Sequence, residues 1–153
     1  MTVLRSALVS LVTLFALMAS PVMAADKPEF YTPWRSNVAV QGYDVVSFHA
    51  GTPVKGSRDF TTLYKDVIWR FNSQANMDLF LTNPDAFTPQ YGGYCAWALS
   101  KGKLAPGRAD HWHVQDGRLY LNYSRRVKQR WDALRDEFIR DANANWPSAL
   151  SGR

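Results

Sequence analysis

The opening stretch MTVLRSALVSLVTLFALMASPVMA, residues 1–24, constrains the rest of the chain more than any other feature. It has a base at Arg5, an apolar run from Ala7 to Met18, a helix-ending Pro21, and small or β-branched residues at Val22 and Ala24. This is the three-part layout of a secretory leader. An uncleaved anchor and a buried helix are the competing readings, but the run is short and poorly flanked for a membrane span. Cleavage after Ala24 is expected to leave 129 residues (153 minus 24). That suffices for one domain with a core and hardly for two. The expected location is secreted or periplasmic, with no transmembrane segment in the mature chain, because no later apolar run is long enough to cross a bilayer.

Such compartments favour disulfides, yet Cys95 is the single cysteine and cannot close one within the chain. It must be buried, paired with another molecule, or functional. The formal charge of +5 becomes +4 without the leader, which removes Arg5 and no acid. The bases alternate with acids, as in RRVKQRWDALRDEFIRD, and form no concentrated stripe. Nucleic acid is therefore not an expected partner. The glycines also fail the dinucleotide and phosphate-loop spacings.

Residues 25–37 read as an N-terminal arm that packs through Phe30, Tyr31 and Trp34, followed by a domain over 38–147 and a tail over 148–153. VAVQGYDVVSF suggests a turn at Gly42 between two β-prone segments, with Asp44 placed to satisfy local backbone donors. DFTTLYKDVIWRF predicts a hairpin around Lys65 and Asp66. Ser73 is a helix cap before Met77, Phe80 and Leu81, and Pro84 is expected to end that helix. YGGYCAWALSKGK predicts a short buried helix entered through Gly92 and Gly93 and left at Gly102, and residues 103–110 read as a loop. HWHVQDGRLYLNY predicts a hairpin turning at Asp116 and Gly117. One last helix is expected over 124–142, with Val127, Trp131, Leu134 and Phe138 as its buried stripe and Trp146 as an anchor beyond it. The predicted fold class is α+β, a small antiparallel sheet packed against helices. No internal repeat or low-complexity block stands out in the sequence.

With these segments placed, SNVAVQGYDVVSF, VKGSRDF, IWRF, NSQANMDLFLTNPDAFTPQYGGYCAWAL, DGRLYLNYS and DANANWP together resemble the YHS domain family over residues 36–147. The likeness is to its secreted, stand-alone branch. It implies a small binding domain, and in other members a metal site built from cysteines. The first of those cysteines would fall in the segment Tyr43, Asp44, Val45 and Val46, and others within NSQAN, where this chain has none. The family's thiolate site is therefore absent.

Three roles stand open for Cys95: a small buried hydrophobe among Tyr94, Trp97 and Leu99, a metal ligand, or a nucleophilic or redox thiol. As a ligand it could join His111 and His113, two apart on a predicted strand, in a mixed sulfur and nitrogen shell for copper or zinc. As a nucleophile it would draw on the unpaired N–H groups at the start of the following helix. His49 reads as a strand-end residue. Gly92 and Gly93 allow close approach to the backbone, which would suit a small-ligand pocket walled by Tyr94, Trp97 and Trp112, with Lys101 and Arg108 at its rim. The expected function is a binding domain for a metal ion or small ligand. A thiol-dependent enzyme and a structural domain that meets another cell-envelope protein are the alternatives.

Overall fold

A computed structural model describes residues 26–151, so the expected leader lies outside the described residues. The first elements depart from the sequence reading. VAVQGYDVVSF forms a 3-10 turn at Ala39–Gly42 and a short helix, α1 (Val45–His49), instead of two β-prone segments. The cause is Asp44, whose side chain accepts from the Val46 and Ser47 N–H groups and so starts a helix where two valines favour a strand.

The first hairpin forms as expected from β1 (Thr61–Tyr64) and β2 (Val67–Arg70), in register from Thr61 opposite Arg70 to Tyr64 opposite Val67. Ser73 caps α2 (Gln74–Thr82) by accepting from Asn76 N–H. Pro84 opens a further turn of helix, α3 (Pro84–Phe87), because proline fits a first helical position. A second 3-10 turn at Gln90–Gly93 leads to α4 (Ala96–Ser100). The second hairpin joins β3 (Arg108–Gln115) to β4 (Arg118–Asn122) through Asp116 and Gly117, both at positive φ. β3 starts within the stretch read as a loop, since Arg108 already pairs with Asn122 before a register shift ahead of Trp112.

The expected last helix is two: α5 (Arg125–Ala133), capped by Ser124, and α6 (Arg135–Ala149). Leu134 breaks the run with φ −139° and ψ 44° and stands exposed, while Trp131 and Phe138 are buried as expected. The architecture is thus α+β, with six α-helices and two separate two-stranded antiparallel ladders among the described residues. No helix among them is long and apolar enough to cross a membrane. Phe30 and Tyr31 of the arm pack inward, whereas Trp34, expected to pack with them, is 85 % exposed.

The second half of the domain repeats the first at an offset of 51 residues (95 minus 44). The 3-10 turn, α1, β1, β2, α2 and the start of α3 recur as the second 3-10 turn, α4, the end of β3, β4, α5 and the start of α6. Register follows: Thr61 opposite Arg70 becomes Trp112 opposite Leu121. So do backbone bonds, with Asp44 N–H to Val54 C=O matched by Cys95 to Ala105, and Gly56 to Gly42 matched by Gly107 to Gly93. Equivalent rings stack alike, Trp69 on Phe80 at 5.2 Å and Tyr120 on Trp131 at 5.4 Å. The domain is therefore an internal duplication, units 38–88 and 89–139, that the sequence reading misses. Only eight paired positions are identical, and half of them answer to the backbone. Gly42 and Gly93 hold positive φ, Ser73 and Ser124 are caps, and a Cβ on Gly56 or Gly107 would strike neighbouring backbone. Most other paired positions differ in residue type, which leaves no recognisable period.

Two clusters of buried side chains fill the units. Leu119, Leu121 and Ala109 of the second unit join Phe48, Trp69, Phe71 and Phe80 in the first cluster, so the halves share a core. Tyr91, Leu99, Tyr120, Trp131 and Phe138 make the second.

Candidate functional site

Cys95 is the cap residue before α4, not a member of its first turn. Its N–H donates to Ala105 C=O at 2.8 Å and its own carbonyl accepts from Leu99 N–H at 3.0 Å. The side chain is 0 % exposed. Its thiol lies 3.7 Å from Asn122 Oδ1, which also accepts the Trp97 N–H at 3.2 Å. Asn122 thus caps α4 from the neighbouring strand, as Asp44 caps α1 directly, and its own Nδ2 is buried without a partner. Burial pushes the thiol pKa up, against the smaller pull of backbone donors at Ala98, Tyr123 and Trp97. A reactive thiol needs the reverse. Alkylation of the folded protein at neutral pH is accordingly expected to be at least about a hundredfold slower than in denaturant. A comparable rate in both states would show that Cys95 is accessible after all.

The ligand set of Cys95, His111 and His113 is not assembled. Cys95 forms a parallel bridge with Leu121 on β4, and Leu121 pairs on its other side with Trp112 of β3. β4 therefore lies between the cysteine and the histidine-bearing strand, separating their backbones by two ladder spacings of about 4.8 Å each. Among the described residues no three His, Cys, Asp or Glu side chains form a group able to hold a metal ion. His113 packs on the Trp131 ring at 5.8 Å, and burial together with Arg135 and Lys128 lowers its pKa. His111 falls in the irregular part of β3. His49 ends α1, not a strand, and lies edge-on to Phe87, with its pKa lowered by burial.

The close approach at Gly92 is made by the chain itself. A Cβ there would overlap the Glu29 carbonyl, and Tyr31 N–H donates to Gly92 C=O at 2.9 Å. The arm thus occupies the space read as a ligand pocket. Gly93 is hemmed by Pro89 and Leu121. Tyr94 donates its hydroxyl to Pro28 C=O at 3.0 Å and faces Tyr31 and Trp146. Trp97 lies under Arg130, and Trp112 packs on Phe48 in the first core cluster. Tyr94, Trp97 and Trp112 therefore look in different directions and enclose no common site. Lys101 covers the Phe138 ring, away from any such rim.

The opening that sequence reasoning misses lies between the second hairpin and α6. It is an open groove of about 490 Å³ lined by Gln115, Arg118, Tyr120, Ile139, Arg140 and Asn143, with Asp116 and Asp136 beside them. Gln115 donates to Asp136 at 2.8 Å and Arg140 pairs with Asp141 at 3.1 Å. Neither Asp116 nor Arg118 has an ion-pair partner among the described residues. Nothing local marks these residues as a set, because two elements bring them together. No family model matches this chain, and no curated protein or solved structure matches it.

Proposed function

We propose that this chain is a non-catalytic binding module of YHS-like type that works outside the cytoplasm by presenting a surface to another cell-envelope protein. The observation that supports this reading is the complete burial of Cys95 against Asn122. The one side chain able to do thiol chemistry serves the core, and its raised pKa suits that use. Metal binding through Cys95, His111 and His113 draws no support from the geometry, because β4 stands between them. The surface instead offers the exposed Leu63 and Leu81 of the first unit and the groove beside Arg118 in the second.

The test is site-specific photo-crosslinking in cells that express the full chain, with the crosslinking residue placed singly at Leu63, Leu81 or Arg118. A discrete product from one of these positions, unchanged when Cys95→Ala is added, is expected. A folded protein that gives no product from any of the three, or a product lost in Cys95→Ala, would overturn the reading.

A further inference from the structure

We infer that the exposed face of α5, together with the end of α4 beside it, docks on a membrane surface that carries anionic phospholipid. This goes beyond the binding-module reading, since it assigns a second surface, separate from the partner-facing positions. The duplication makes the face stand out. Unit 38–88 holds four bases and five acids, whereas unit 89–139 holds nine bases and five acids. Lys101, Lys103, Arg125, Arg126 and Arg130 account for the whole difference. At the 51-residue offset they stand where the first unit has Ala50, Thr52, Gln74, Ala75 and Leu79. The same backbone therefore forms with no charge at any of these positions, and the fold does not require the cluster.

Folding sorts the charges that alternate along this part of the sequence. Asp132 is held by Lys128 at 2.6 Å and by Arg135 at 3.0 Å, and Arg135 also donates to Gln115 of β3 at 3.3 Å. Asp136 accepts from the same Gln115. These acids are thus gathered towards β3. Arg126 and Arg130, one turn apart, lie about 200° round α5 from Lys128 and Asp132. There the Arg130 guanidinium stands 6.0 Å over the Trp97 ring of α4. Lys101, one turn beyond Trp97, lies 4.8 Å over Phe138. None of the five bases has an ion-pair partner among the described residues. Of the acids on α5 and α6, Glu137 alone is left without a side-chain partner among those residues. The exposed Tyr123 and Leu134 stand at the two ends of α5.

The chemistry of the face selects its occupant. It is the convex side of a helix, with its charges on long stems that no partner fixes. A lipid surface supplies phosphates that move to meet such groups, and rings and aliphatic residues at the margin suit the headgroup level. An acidic protein would instead have to set a fixed carboxylate against each unheld base. The leader expected over residues 1–24 directs the chain to a compartment bounded by phospholipid. Each base close to an anionic leaflet strengthens binding about fivefold.

The experiment uses the chain without residues 1–24, because an apolar leader binds vesicles by itself. Cosedimentation is measured with vesicles of phosphatidylcholine alone and with vesicles in which about 40 % of the lipid is phosphatidylglycerol. At about 50 mM salt, binding to the anionic vesicles should be half-complete near roughly 0.1–1 mM lipid. It should weaken at least about tenfold at about 0.2 M salt and be absent with phosphatidylcholine alone. Arg126→Gln/Arg130→Gln should weaken it about twentyfold. Arg35→Gln/Arg58→Gln removes the same charge from exposed positions outside the face and should change it by less than about threefold. With nitrogen-15-labelled protein, spin-labelled lipid should broaden the amide signals of residues 97–103 and 123–130 and spare those of residues 61–68.

Equal binding to both kinds of vesicle, equal losses in the two double variants, or broadening centred elsewhere on the domain overturns the inference. So does binding to soluble polyglutamate without binding to anionic vesicles, which would assign the face to an acidic protein.

Discussion

Asp44→Ala is expected to lose about 3–5 kcal/mol of stability, more than any other single substitution of a polar residue in the domain. Asp44 is 0 % exposed. Its Oδ1 accepts Val46 N–H at 2.9 Å and Ser47 N–H at 3.4 Å, and its Oδ2 accepts Asn72 N–H at 3.0 Å and the Asn76 amide at 2.7 Å. One carboxylate therefore starts α1, ties it to the end of β2 and fixes the first turn of α2. Alanine would strand these donors away from water, and each stranded donor costs about 1–3 kcal/mol. The equivalent Cys95→Ala should cost only about 1–2 kcal/mol, because Asn122 rather than Cys95 caps α4, and only packing and one weak thiol hydrogen bond to Asn122 are lost. Denaturant midpoints at constant slope measure both. Equal losses in the two variants would mean that Asp44 is not the joint described here.

Gly92→Ala should cost about 2–4 kcal/mol and release the arm. Gly92 has φ +59° and no room for a Cβ, since the Glu29 backbone occupies that space. Relief requires the arm to move, which breaks the Tyr31 to Gly92 bond and uncovers Phe30, now only 5 % exposed. Gly102→Ala is the control. It has a similar φ of +69° with nothing within 4 Å of the added carbon, so it should carry the backbone penalty of about 1–2 kcal/mol alone. Hydrogen exchange at the Tyr31 amide separates the cases. It should approach the unprotected rate in Gly92→Ala and stay slow in Gly102→Ala. Protection in both would show that the arm is held by something other than this contact.

Much of the fold is legible along the chain where one residue settles its own neighbourhood. Asp116 and Gly117 turn the second hairpin through their tolerance of positive φ, and Ser73 caps a helix by accepting from the N–H three residues ahead. The readings fail where a distant contact outweighs the local preference. Val45 and Val46 favour a strand but enter a helix because Asp44 is anchored to Asn72 and Asn76. The stripe of Val127, Trp131, Leu134 and Phe138 looks continuous, yet the duplication ends α5 where α2 ends, before Leu134 as before Asn83. Gly92 and Gly93 correctly signal a close approach, but the sequence does not say that the arm is what approaches.

The sequence by itself determined the α+β class, both hairpin turns, the Ser73 cap and the lack of an internal disulfide, because each follows from dihedral limits, a short-range bond or a residue count. Only the tertiary structure decided that Cys95 is sealed behind β4, that His111 and His113 lie beyond that strand, that the domain is one unit used twice, and that the arm fills the space beside Gly92. These outcomes depend on which surfaces meet across tens of residues. Burial there asks only for matching volume, as Phe48 with Leu99 or Phe80 with Trp131, and volume leaves no pattern that a reading along the chain can follow.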